Sequence, residues 1–328
     1  MNTSRLVKLA GPAGLYSLAR QFTRNHPRIL MYHRFSEAEQ SGFVSAAAFE
    51  QQVRYIARHH HAITAGALIT ALRDGTRLPP HTLVVTVDDG YEDFHRVAWP
   101  ILKRHGVPAT LFATTGFVDG ELWLWPDQVA WLLDRTPESS DAVTVAEQRI
   151  TVDGTAWQRL IDVLLTLPDA EKHLAIAAMA EQLGLVLPKA APTEFASVSW
   201  DQLRELEQAG IEVGGHTCTH PTLPKVQTSE LPKELDACLA RINEELGERP
   251  RPFCYPNGQP SDYSQTVRDA VEQAGFIGAV VAHADHASHA DVYQLRRHSS
   301  SANPFQFMKA ASGIEWLGRR IKNRGAAA

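Results

Sequence analysis

The sequence predicts an α/β fold, a parallel sheet wrapped by helices, on the scale of one α/β barrel. Three observations carry this. From residue 28 onward, short apolar β-branched runs alternate with stretches of helical period. The chain has 328 residues, within the range of a single barrel of this kind. Hydrophobic residues make up 44% of it, enough for one large core.

In residues 5–22, Leu6, Leu9, Leu15, Leu18 and Phe22 recur at helical spacing, but Gly11, Pro12 and Gly14 break the middle into two short pieces. Such a segment either packs on the barrel or lies as a basic amphipathic helix at a membrane interface. Residues 28–33 (RILMYH) read as a buried strand. Residues 46–58 read as a helix with Phe49, Val53 and Ile56 on one face. Residues 82–87 (TLVVTV) form a second buried strand, 95–105 a helix and 109–115 (ATLFATT) a third strand. The rhythm lapses between about 119 and 197, where Trp123, Trp125 and Trp131 precede helices at 156–166 and 170–184. This stretch reads as a helical insertion over the barrel mouth. The alternation resumes with helix 200–210, strand 212–214, helix 229–246, strand 253–255, helix 261–275 and strand 277–281. The expected organisation is therefore a basic N-terminal segment (1–27), a barrel (28–312) and a basic tail (313–328).

The formal net charge is −5, unevenly spread. Arg5, Lys8, Arg20, Arg24, Arg28 and Arg34 all precede the first acid, Glu37. Arg319, Arg320, Lys322 and Arg324 face only Glu315 at the other end. The body between is acidic, which argues against a nucleic-acid partner, while the basic ends suit anionic lipid. Three cysteines, Cys218, Cys238 and Cys254, make no disulfide framework. No stretch approaches the ~18 apolar residues of a spanning helix, and no apolar leader region precedes residue 28. The expectation is a cytoplasmic protein with peripheral contact at the inner membrane face.

Four short segments carry chemistry. Thr86-Val87-Asp88-Asp89-Gly90 ends an apolar strand in two adjacent carboxylates. Buried acids need a metal, a partner or a proton, although Asp also suits a helix cap or a turn. His216-Thr217-Cys218-Thr219-His220 places two histidines at i and i+4, which can share one face and grip one ion. Cys218, at i+2, points away from that face. Phe253-Cys254-Tyr255-Pro256-Asn257-Gly258 ends a strand in a turn whose N–H groups can face an oxyanion, or is simply a turn. Leu30-Met31-Tyr32-His33 puts a histidine at a strand end, either an acid–base group or a hydrogen-bonded core residue. All four lie at the C-terminal end of an expected strand, where barrel enzymes assemble active sites.

On these motifs the sequence resembles the polysaccharide deacetylases of carbohydrate esterase family 4. Thr86–Gly90 is similar to the family's T-F-D-D-G motif with Val87 in place of Phe, and 216–220 is similar to its H-[ST]-x-x-H motif. Residues 253–258 stand where its third motif stands. The resemblance runs from about Arg28 to Phe307, with the insertion outside the shared core. It implies a distorted (β/α) barrel of about seven parallel strands. It also implies a divalent metal, with zinc expected, held by Asp89, His216 and His220. The metal would polarise the acetyl carbonyl and acidify a water, Asp88 would act as general base, and the Tyr255 N–H would face the oxyanion.

Two departures bear on the roles. Many members carry Arg in the third motif where this chain has Cys254, so Arg296 is expected to supply the base-orienting guanidinium from another strand. The late histidine motif is also absent, leaving only Leu295…His298. The chain instead resembles the exopolysaccharide-biosynthesis branch, in which an early Tyr-His strand end supplies the acid. His33 is then the expected general acid and His298 the fallback. The implied substrate is an N-acetylhexosamine glycan, or a lipid- or nucleotide-linked precursor. The tryptophans of the insertion are either sugar-stacking faces or large core residues, and Trp125 and Asn257 are the expected substrate contacts. Other readings are an amide hydrolase or deformylase on the same barrel, and a non-catalytic glycan-assembly scaffold. The oligomeric state is not legible.

Overall fold

The computed structural model describes residues 14–137, 140–283, 291–315 and 318. Its central sheet is built from β1 (Arg28–Tyr32), β2 (Thr82–Val87), β3 (Thr110–Ala113), β4 (Glu212–Gly215), β5 (Phe253–Cys254), β6 (Ala279–Val281), β7 (Leu295–Arg296) and β8 (His298–Ser299). Hydrogen bonding joins them in the order β7-β6-β5-β4-β3-β2-β1-β8, all parallel. β7 and β8 are separated by Arg297 alone, so one short stretch leaves β6 and joins β1. Counted as a single interrupted strand they give the expected seven, arranged as a nearly closed barrel. A further short strand, His61–Ile63, pairs with the first half of β2, while β3 pairs with its end.

Both faces of β1, β2, β3, β5 and β6 are buried, as parallel strands under helices require. One parity (Leu30, Val85, Val87, Leu111, Phe253, Val281) packs outward against the helices. The other (Ile29, Val84, Phe112, Cys254, Val280, Leu295) fills the interior. The surrounding helices are α1 (Leu15–Phe22), α2 (Ala46–His59), α3 (Ala65–Arg73), α4 (Trp99–His105), α5 (Trp200–Gln208), α6 (Leu231–Leu246), α7 (Gln265–Gln273) and α8 (Pro304–Ala311). α2 shows why such sequences become helices. Ser45 accepts from the Ala48 N–H as N-cap, and Phe49, Val53 and Ile56 fall on one buried face. α3 closes the floor, sending Ala65, Leu68 and Ile69 into the interior cluster. Its first turn is held by Glu212, which accepts from the Gly66 N–H at 2.9 Å and from the Thr110 and Thr64 hydroxyls at 2.7 and 3.1 Å. A carboxylate there also suits the positive end of the helix dipole.

The first of the two pieces expected in residues 5–22 lies outside the described residues, and the second is α1. Only Ala19 of α1 is buried, Leu18 and Phe22 are exposed, and Arg20 donates to Tyr55 of α2 at 2.7 Å. Two residues of the basic N-terminal run are internal. Arg28 is buried and donates to Thr23 and Ser312, and Arg34 sits near the barrel mouth. Among the described residues no helix is long and apolar enough to cross a membrane.

The insertion has a core of its own, built from Trp125–Asp134, Ala156–Leu164 and Asp169–Gln182, with Trp125, Leu132, Leu160 and Met179 at its centre. It is not purely helical. Ala142–Val145 and Gln148–Thr151 pair as an antiparallel hairpin. Its two-residue turn, Ala146-Glu147, adopts positive φ at both positions, a geometry usually signalled by Asn-Gly, so the sequence offered no cue.

β4 ends in Gly214-Gly215 because nothing larger fits. A Cβ on Gly214 would stand 2.6 Å from the Pro252 carbonyl and 2.7 Å from the Phe112 ring. Gly214→Ala is expected to cost about 1–3 kcal/mol by overpacking, read as a lowered thermal midpoint. An unchanged midpoint would show that the neighbouring backbone yields without cost.

Candidate active site

The strand ends open into a cavity of about 600 Å³ lined by His33, Asp88, Asp89, His216, His220, Asn257 and Arg297 from the barrel. Leu124, Trp125, Asp127, Trp157 and Ile161 of the insertion form its other wall. The insertion thus lies over the mouth, as expected.

β2 delivers both carboxylates. Alternation turns Asp88 inward on the parity of Val84 and Thr86, and Asp89 leaves the strand at φ 77°. Asp89, His216 and His220 each offer a ligand atom within 4.8 Å of the others. Asp89 Oδ1 is 3.3 Å from His216 Nε2 and 3.5 Å from His220 Nε2. His216 Nδ1 stands 2.7 Å from the Cys254 carbonyl, so Nε2 is the nitrogen turned towards Asp89. Burial opposes its charge, but Cys254 and the adjacent carboxylates hold His216 well above the ordinary imidazole range, so a metal ion would displace a proton there. Burial and the neighbouring His216 push His220 down to about 4, so its imidazole is neutral, the state a ligand requires. Burial alone would raise Asp89, but the histidines beside it hold it below the usual carboxylate range. The set is the two-His, one-carboxylate chemistry that suits zinc or a similar divalent ion. Thr217, His220 and Asn257 share the left-handed backbone of Asp89 (φ 67°, 59° and 59°), a concentration of strain typical of working sites.

The guanidinium on Asp88 belongs to Arg297, not to Arg296. Arg297 Nη1 and Nη2 donate to Asp88 Oδ1 and Oδ2 at 2.6 and 2.7 Å. Its other hydrogens go to Thr86 Oγ1 (3.0 Å), Cys254 Sγ (3.1 Å) and the Val281 carbonyl (3.1 Å), which satisfies all five donors. The correction is one of parity: Leu295 and Arg297 point inward, and Arg296 between them points the other way. Burial would raise Asp88, but Arg297 overrides it and holds the carboxylate ionised. The same pairing places Asp88, His216 and Cys254 close together, yet Asp88 there is occupied by Arg297 rather than facing an ion.

His33 Nε2 lies 3.7 Å from Asp88 Oδ2 with its side chain about half exposed in the cavity. The fallback, His298, is instead paired with Glu315 at 3.3 Å. The Tyr255 N–H, expected to face an oxyanion, donates to the Val280 carbonyl at 3.3 Å because the ladder beside β6 continues through it. Two residues on, the Asn257 N–H has no acceptor among the described residues, and Asn257 lines the cavity. Trp125 lines the cavity while almost wholly buried, whereas Trp123 is a core residue whose indole donates to Pro188. Sequence reasoning missed Trp157 and Asp127. Neither stands in a recognisable motif, and only the amphipathic period of helix Ala156–Leu164 hinted that Trp157 faces outward. None of the three cysteines is in a disulfide.

A family model described as polysaccharide deacetylase matches residues 75–279, well over half the chain. The chain belongs to the polysaccharide deacetylase family. That family's members are hydrolases of carbon–nitrogen bonds. The match stops short of both His33 and Arg297. The Bacillus subtilis protein YxkH, named for the same family, is 31% identical over 85 residues, which span 26% of this chain and only 30% of YxkH. Among solved structures, the Streptococcus pyogenes deacetylase PplD in complex with acetate superposes with a TM-score of 0.58 at 18% identity, over 88% of this chain and 96% of that one. IcaB from Ammonifex degensii gives 0.58 at 19% identity, over 88% and 97%. These likenesses show the barrel fold.

Removing Arg297 leaves a buried carboxylate without its counter-charge. Arg297→Ala is expected to cost about 3–5 kcal/mol and Arg296→Ala much less, by thermal or denaturant unfolding. The pH dependence follows from the sign of the shift. In the native protein Asp88 is depressed, so its contribution is present above the ordinary carboxylate value and lost as pH falls through the folded one. In Arg297→Ala burial raises it instead, so the deficit should be greatest near neutrality and shrink as pH falls. A deficit independent of pH would contradict the ion-pair account.

Proposed function

We propose that this family member hydrolyses the N-acetyl group of an N-acetylhexosamine unit in a glycan or glycan precursor. The observation that carries the reading is the convergence of Asp89, His216 and His220 beside an ionised, Arg-clamped Asp88 in one cavity. A divalent cation held by those three residues, with zinc the expected one, would supply Lewis acidity at the acetyl carbonyl. The remaining steps belong to the chain's own groups. Asp88, with both oxygens fixed by Arg297 but a lone pair left on each, takes the proton of the attacking water. The Asn257 N–H replaces that of Tyr255 as the backbone donor to the developing oxyanion. His33, on the open side of Asp88, delivers a proton to the nitrogen as the carbon–nitrogen bond breaks, so acetate and a free amine leave. Lipid-linked or nucleotide-linked precursors at the inner membrane face remain part of this proposal.

The test combines metal content by mass spectrometry with acetate release from N-acetylglucosamine oligomers. Wild type should hold one divalent ion and release acetate. Asp88→Asn should keep the ion and lose turnover, His216→Ala should lose both, and His33→Ala should keep the ion and fall by about 10²–10⁴-fold in turnover. Wild type that binds no divalent ion under metal-replete preparation would overturn the reading. Near-normal turnover in His33→Ala would remove that residue from the acid role.

A further inference from the structure

Asp127 stands on the insertion's side of the catalytic cavity, in the first turn of helix Trp125–Asp134. Its carboxylate is unevenly occupied. Oδ2 accepts from the Tyr91 hydroxyl at 2.7 Å, and Tyr91 follows Gly90 directly after the carboxylate pair. Among the described residues, the charged group near Oδ1 is Arg34 Nη1, at 3.8 Å, beyond hydrogen-bonding reach. Arg34 is committed elsewhere. It donates to Asp93 Oδ2 at 2.7 Å and to the Glu194 carbonyl at 2.7 Å, and its guanidinium stacks over the Tyr91 ring at 3.9 Å. A nearly buried carboxylate oxygen therefore faces the cavity with acceptor capacity that no described residue meets.

Resting on the deacetylase reading, we infer that Asp127 is a substrate-binding residue that accepts a hydrogen bond from a hydroxyl of the sugar ring. The layout of the cavity favours this role over a second catalytic one. Every group with a part in amide hydrolysis comes from the barrel side, so the acetamido group must point there. The opposite wall combines the apolar surfaces of Leu124, Trp125, Trp157 and Ile161 with one carboxyl acceptor, the mixture of flat apolar and polar groups that a pyranose ring presents in return. A neutral hydroxyl donor fits Oδ1 because the nearby Arg34 charge already serves Asp93.

Asp127 also ties the insertion to Tyr91, so the test separates binding from fastening. Two substrates are compared, an N-acetylglucosamine oligomer and a small aryl acetate that lacks the sugar. The measured quantity is the ratio of their kcat/KM values. Asp127→Asn should lower the oligomer-to-ester ratio by about 10- to 100-fold, as expected when a buried hydrogen bond to substrate is lost and an amide N–H is turned towards the sugar in its place. Tyr91→Phe cuts the same tie but leaves the carboxylate, and should change the ratio far less. An unchanged ratio in Asp127→Asn, or an equal fall in both variants, would overturn the inference. Quenching of the cavity tryptophans by the oligomer gives a readout independent of turnover. If wild type binds the oligomer without releasing acetate, the deacetylase reading fails, and the Asp127 contact then stands on weaker binding by Asp127→Asn or falls with unchanged binding.

Discussion

Arg297 is the point on which the barrel and its chemistry both depend. It occupies the single residue between β7 and β8, where the chain leaves one edge of the sheet and joins the other. Its five donors reach β2 through Thr86 and Asp88, β5 through Cys254 and β6 through Val281. A fully buried guanidinium is tolerable only when every N–H is met and a counter-charge is present, and here Asp88 meets the second condition. The closure of the barrel and the ionisation of Asp88 are thus one interaction. This is also why an acid can sit in so dry a place without drifting upward into its protonated form.

The same economy runs through the Asp89, His216 and His220 set. The Cys254 backbone carbonyl fixes His216 while its thiol touches the Arg297–Asp88 pair, so one residue of β5 serves both halves of the site. The glycines ending β4 let that strand come close enough to β5 and to Phe112 for the arrangement to form. The strained backbone at Asp89, Thr217, His220 and Asn257 is confined to the mouth, above a floor closed by α3 and a doubly packed wall. Rigid strands thereby hold groups whose own conformations are unfavourable.

Much of this was legible in the sequence. The strands at 28–32 and 82–87 and the helix beginning at Ala46 follow from β-branched runs and from helical period. So did Asp88, Asp89, His216 and His220, because ionisable groups at the ends of apolar strands are costly to bury unless an ion or a counter-charge meets them. What was not legible was parity. In a strand buried on both faces hydrophobicity does not distinguish inside from outside, so Arg296 and Arg297 look equivalent. Only Leu295, two residues before Arg297 and on the interior face, carries the signal, and it needs the neighbouring strands to be read. The Tyr255 N–H was misassigned for a related reason, since the turn was expected to begin before the ladder had ended. Asp127 was invisible because its meaning arises only when a segment some forty residues along the chain folds back over the mouth.

The Cys254–Arg297 arrangement has an evolutionary consequence. The chain resembles a family in which many members place the base-orienting arginine on the third motif, where this chain has a cysteine. Moving between the two solutions by single substitutions is obstructed in either order. Gaining the second arginine first would crowd two like charges into a space with one acid, and losing Arg297 first would strand Asp88 without a partner. Either single-substitution intermediate is expected to fold less stably than the arrangements it would connect. The position of the arginine in this barrel should therefore resist change one substitution at a time and shift only when both sites change together.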